Sequence, residues 1–199
     1  GAGSVAAWAL NKIHDVTLFE KEQSLGGHAF TFYQLGHGNL TEADLGVELF
    51  TEKHAPNLCA LLEHFKVKSY VAPLSFQGVF SGDNEYWNNI GQKGAIWQLV
   101  KEECNKFHEQ MHHVMHLGGG SAKGKTLGEF LTQNQYSDTF VYGVLLPLLT
   151  TFSGCQAPML EYSLTYTALS FNLGLLSFYQ PGYWRKAQGG IYAYLKEIE

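Results

Sequence analysis

Two glycine clusters and one acid in the first thirty or so residues are the groups whose types and spacing could hold a phosphorylated ligand. Gly1 and Gly3 allow a tight turn ahead of an apolar run, and Ala6 is small enough for a helix to press against a sheet. The backbone can then approach a pyrophosphate, and the amides at the helix start, Ser4 included, face the anion. Val16-Thr-Leu-Phe19 is a short apolar run suited to a buried parallel strand. Glu20 at its carboxyl end can accept hydrogen bonds from both hydroxyls of a ribose, and an acid there disfavours a 2′-phosphate. Gly26 and Gly27 let the chain pass close to a diphosphate, with His28 beside them as a donor. Together these residues spell a dinucleotide site and point to a flavin. Asp44 and Gly46 carry two readings, a backbone amide offered to the flavin ring or a plain strand bulge, and both stay open.

The elements that must position these groups follow from the hydrophobic pattern. Residues 1–70 read as turn, helix, strand, glycine loop, strand and an amphipathic helix from Ala55 to Phe65. Beyond Ser75 the pattern turns helical, with helices expected over Ala95–His116, Thr126–Asn134 and Ser137–Thr151 and a glycine-rich loop over 118–124. Gln188-Gly-Gly-Ile-Tyr-Ala-Tyr-Leu195 reads as a glycine turn into a helix. The expected organisation is a nucleotide-binding part over 1–74, a helical substrate-covering part over 75–180, and a return over 181–199.

Several further segments bring the chain close to a known family. Phe19-Glu-Lys-Glu-Gln-Ser-Leu-Gly-Gly-His28 is an acid followed by a Gly-Gly-His signature, and Asp44-Leu-Gly-Val-Glu-Leu-Phe50 is an Asp-x-Gly strand. Ala55-Pro-Asn-Leu58, Thr126-Leu-Gly-Glu-Phe130, Phe152-Ser-Gly-Cys155 and Tyr183-Trp-Arg185 with Gly189-Gly190 follow in order. In these the chain resembles the flavin-containing amine-oxidase-like superfamily, and within it the NAD/FAD-binding oxidoreductases encoded near cyclopropane-fatty-acid synthases. The resemblance implies an α/β fold, a Rossmann-like FAD/NAD(P)-binding domain with a mostly helical substrate-domain insertion. It implies FAD as cofactor, an apolar, lipid-like small-molecule substrate, and Trp184 and Arg185 near the flavin. Against the family, the glycine turn is short, Ala6 stands at the third motif position, and the chain reads as a fragment of a longer protein.

Composition and charge exclude other classes. With 45% hydrophobic and 16% charged residues the chain can bury a sizeable core, and a formal net charge of −5 without a basic run argues against nucleic acid as a partner. Three cysteines without C-x-x-C spacing fit a reducing compartment, and a cytoplasmic location is expected. The most apolar run, Val141 to Phe152, is interrupted by Pro147 and reads as core, with peripheral contact to a membrane or lipid surface as its alternative.

Two tempting patterns are set aside. His108, His112 and His116 share a helix face, yet no fourth ligand stands near them, so no metal is expected. Gly119 to Thr126 match the letters of a phosphate-binding loop, but a helix precedes them where that motif needs a strand. Trp87, Trp97, Phe152, Phe171, Phe178, Tyr179 and Trp184 could line an apolar pocket or form ordinary core. The resulting expectation is an FAD-dependent oxidoreductase that moves hydride from an apolar substrate to flavin. Its cofactor would be bound by Gly1, Gly3, Ser4, Ala6, Glu20, Gly26, Gly27, His28 and Gly46, with no catalytic base assigned. The alternative is a non-catalytic relative that has lost flavin and serves as a binding or partner module.

Overall fold

A helix beginning at a glycine, as the first motif requires, opens the computed structural model, which describes residues 1–36, 39–80, 86–90, 94–116, 122–153, 158–179 and 184–198. The chain divides into two units, Gly1–Ala72 with Trp184–Glu199, and Pro73–Tyr183.

In the first unit Gly1 caps α1 (Ala2–Leu10), and Ser4 is the buried residue of that helix. The parallel strand expected at Val16–Phe19 does not form. The segment carries no ladder, and Leu18 and Phe19 stand 41% and 91% exposed. A strand exists only by pairing its N–H and C=O groups with a neighbour, and none of the described segments pairs with this one. Ala6 is accordingly exposed, with no sheet to press against, which corrects the packing role expected of it.

The chain next folds into an antiparallel hairpin, β1 (Thr31–Gly36) with β2 (Asn39–Asp44), in a register that sets Thr31 opposite Asp44. Helix α2 (Pro56–His64) starts with proline at its first turn, where the missing N–H costs nothing. It ends in a left-handed residue, Lys66, with Val67 N–H donating to the Leu62 carbonyl and Lys66 N–H to that of Glu63, the Schellman pattern. Strand β3 (Ser69–Val71) pairs antiparallel with Arg185–Ala187, the sixth strand in chain order, and a 3-10 helix, Ile191–Glu197, follows. Phe50, Leu62, Ala187, Ile191, Tyr194 and Leu195 form the buried cluster of this unit, so the last residues of the chain supply much of the core beside the first glycines.

The second unit holds β4 (Gln77–Val79) paired with β5 (Tyr86–Asn88), then α3 (Gly94–His116), α4 (Leu127–Gln133), α5 (Asp138–Phe140), α6 (Leu146–Ser153) and α7 (Leu164–Asn172). Helix α3 buries Ile96, Trp97, Val100, Cys104, Phe107, Met111 and Val114, a stripe at three- and four-residue spacing. Phe107 is the hub, its ring 5.4 to 6.3 Å from those of Phe130, Tyr136, Phe140, Phe171 and Phe178. Offset and edge-on ring pairs at such distances add to the burial of the rings themselves. Thr126 and Glu129 close a reciprocal capping box at the start of α4.

Between α5 and α6 the helix widens into a π turn, Val141–Leu145. Pro147 supplies the reason, since it has no N–H to give the Gly143 carbonyl one turn back and its ring would collide with that carbonyl in a regular helix. The freed oxygen instead accepts the buried Trp87 indole N–H at 3.1 Å. Among the described residues, all strand pairing is antiparallel, in three two-stranded sheets. No helix among them is long and apolar enough to cross a membrane.

Candidate functional site

Four of the expected site residues converge. Gly1, Gly26, Gly27 and His28 line a cleft of about 430 Å³ together with Ala2, Ala29, Val47, Leu58, Ile191 and Tyr194. The turn that brings them together depends on glycine. Gly26 and Gly27 have φ of 121° and 57°, and the Gly1 nitrogen donates to the Gly26 carbonyl, joining the start of α1 to the second glycine pair. The first amides of α1 have no partner within the helix, because the first acceptor, the Gly1 carbonyl, serves Val5. A helix start of this kind favours an anion.

Gly46 shapes the cleft from behind. A Cβ there would lie 2.0 Å from the His28 carbonyl oxygen, which also accepts the Val47 N–H at 3.1 Å. The contact seen at Gly46 is close backbone packing against the peptide of His28, which neither expected reading described.

The remaining expected residues fall elsewhere. Ser4 and Leu18 line a separate depression with Trp8 and Val16, on another side of α1. At Gly3 a Cβ would meet only Leu18, at an ordinary 3.8 Å. The Glu20 carboxylate accepts the N–H groups of Lys21 and Glu22 at 2.8 and 3.0 Å, and these bonds, the one from Glu22 first, hold its pKa below the usual carboxylate value. It does not line the cleft. Arg185 donates to the Ser69 hydroxyl and carbonyl and pairs with Glu52 at 3.3 Å, lining a different cavity of about 510 Å³.

A polar hub that the sequence did not reveal holds Ile191, one of the residues lining the cleft. Asp44 Oδ1 accepts the Thr31 hydroxyl at 2.6 Å and the Ile191 N–H at 2.9 Å, while Thr31 Oγ1 in turn accepts the Tyr192 N–H at 3.0 Å. Two orphan donors at the start of the 3-10 helix are thus satisfied from the hairpin. Gly190, at φ 84°, fits only without a Cβ, which would meet Thr31 Cγ2 at 2.3 Å. The Tyr33 hydroxyl donates to the Gly189 carbonyl, and Glu42 accepts the Gly189 N–H. Lys186 bonds to Glu48 at 2.8 Å and lies 4.0 Å from Asp44 Oδ2, and the Glu48 bond in the first place raises its pKa.

Tyr194 brings to the cleft a polar side chain that sequence reasoning missed. It is 6% exposed, burial raises the pKa of its phenol, and a Cβ on Gly1 would stand 3.0 Å from its hydroxyl oxygen. The only sequence signal near it was the Gly189-Gly190 pair.

In the second unit, His108 and His112 meet through their Nε2 atoms at 3.2 Å, and among the described residues no three His, Cys, Asp or Glu side chains are grouped to hold a metal ion. The start of the loop-like run at Gly119 lies outside the described residues, as do residues 118–121 of the expected glycine loop. Its Thr126 hydroxyl accepts the Glu129 N–H as a helix cap. Trp87, Trp97, Phe171 and Phe178 belong to the buried core rather than to an open pocket, and Trp184 is buried in the first unit. Cys155, Tyr183 and the side chain of Phe152 lie outside the described residues.

Residues 2–65 match the NAD(P)-binding Rossmann-like domain. The matched stretch holds α1, the acid at Glu20, the Gly26-Gly27 turn, the hairpin and α2, so the region recognised as dinucleotide-binding contains most of the cleft. A search of curated proteins finds no match.

Proposed function

We propose that the protein is an FAD-dependent oxidoreductase acting on an apolar substrate, with its nucleotide site in the first unit. The observation that carries this reading is the convergence of Gly1, Gly26, Gly27 and His28 around the start of α1, inside the segment that matches a dinucleotide-binding domain. The cleft volume lies within the range common for small-molecule sites, roughly 300–1,000 Å³. The residues fit a diphosphate: unpaired helix amides face an anion, the glycines admit its close approach, and His28 stands exposed as a donor at the rim. When bound, the isoalloxazine would accept the hydride. The protein's part is to bind and orient, through the amides of α1, the Gly26-Gly27 turn and the apolar walls of Leu58, Val47 and Ile191. The apolar substrate and the choice of FAD over a nicotinamide dinucleotide rest on the likeness of the Glu20 to His28 signature to flavin amine-oxidase-like sequences.

A second reading keeps the fold without the flavin, and one observation favours it: Glu20 bonds its own following amides instead of lining the cleft. The visible absorption spectrum of the purified protein, before and after added FAD and after denaturation, separates the two. Flavin bands, with FAD released on unfolding, are expected. A colourless protein that takes up no added FAD would refute the oxidoreductase reading and leave a dinucleotide-fold binding module.

A further inference from the structure

The Tyr194 side chain has a feature that core packing leaves unexplained. Its residue is more than nine-tenths buried, yet the hydroxyl bonds to none of the described residues and opens on the cleft beside Gly1. The hydroxyl itself is not sealed from the cleft, so it can donate into that space, where phenylalanine would offer no donor. The hydroxyl therefore sits where a ligand oxygen would satisfy it. A second set of donors ends at the same place, since Gly1 and Ala2 line the cleft and the first amides of α1 have no acceptor within the helix.

From these two observations we propose that the Tyr194 hydroxyl, with the N-terminal amides of α1, forms a subsite for a phosphate oxygen. The inference rests on the dinucleotide reading above and deepens it, assigning the diphosphate, rather than the base or the flavin ring, to the Gly1 end of the cleft. Burial suits the role, because it keeps the phenol protonated and so a donor toward an anion. Tyr194 lies on the 3-10 helix whose first amides are held by Asp44 and Thr31, so the hydroxyl is aimed by the hairpin and not by a loose loop.

Equilibrium titration of the full chain with ADP, FAD, adenosine and riboflavin, for the wild type and Tyr194→Phe, tests the assignment. The expected result is a loss of roughly tenfold or more in affinity for ADP and FAD, as for one hydrogen bond to a charged group, with adenosine and riboflavin binding unchanged. ADP and FAD binding equally well to both proteins would overturn the subsite while leaving the dinucleotide reading intact. An equal loss for adenosine would also overturn it, by showing that Tyr194 acts through packing. Failure of the wild type to bind any of the four would refute the dinucleotide reading itself. If Tyr194→Phe does not fold, nitration of the unaltered protein gives the same decision: ADP, and not adenosine, is expected to protect Tyr194, and no protection by bound ADP would overturn the proposal.

Discussion

Replacing Asp44 by alanine tests whether the hairpin holds the cleft together. The side chain is fully enclosed, and its Oδ1 accepts two hydrogen bonds at 2.6 and 2.9 Å, one from Thr31 and one from the Ile191 amide. Each bond to a charged group contributes about 1.5–3 kcal/mol, and helix-capping acids lose about 0.5–2 kcal/mol on truncation to alanine. Partial rescue by water entering the space offsets some of this, so the expected loss is about 3 kcal/mol. For a unit of this size each kcal/mol lowers the Tm by roughly 4–8 °C, giving a fall of roughly 12–24 °C. Urea denaturation measures the loss, and hydrogen exchange at the Ile191 and Tyr192 amides locates it. Asp44→Asn, which keeps the Oδ1 acceptor, is expected to lose clearly less. Because Thr31 relays the bond from Tyr192, Thr31→Val and Asp44→Ala should be non-additive by about 0.5 kcal/mol or more. A loss below about 1 kcal/mol for Asp44→Ala, with exchange at both amides unchanged, would refute the capping argument.

Two other expectations concern the second unit. Trp87→Phe leaves the Gly143 carbonyl without its indole donor and should destabilise by about 1–3 kcal/mol in thermal melts, but by less when Pro147→Ala restores an N–H one turn further on; equal losses in both backgrounds would break the link between Pro147 and the π turn. Burial first, then the charge of His112, holds the His108 pKa below its ordinary value. The folded state therefore prefers neutral His108, and the stabilisation is complete above the unfolded value of about 6.5 and lost as the pH falls below it. The Tm should drop between pH 7 and pH 5 less steeply in His108→Gln than in the wild type, and parallel profiles would contradict this.

The sequence by itself determined the local pieces. Helices end where their caps say they do: Thr126 with Glu129 opens α4, Pro56 opens α2, and the stripe from Ile96 to Val114 makes α3 amphipathic, because capping and periodicity act over a single turn and need no distant partner. The glycine spacing also marked the cleft, since Gly1, Gly26, Gly27 and His28 are all adjacent to turns that only glycine builds easily.

Tertiary structure decided what depends on a partner. Val16–Phe19 has the composition of a strand, but composition cannot supply the neighbouring edge that makes one. Glu20 was expected at a ribose, and its carboxylate instead found the nearest amides, those of its own next residues. Gly46 was legible as a special position, though not that its constraint is the His28 carbonyl. Asp44 and Tyr194 acquire their roles from contacts that join the two ends of the chain, Asp44 to Ile191 and Tyr194 to Gly1. Hydrogen bonding and packing act at a few ångströms in space, whatever the separation along the chain, and only the folded arrangement sets those distances.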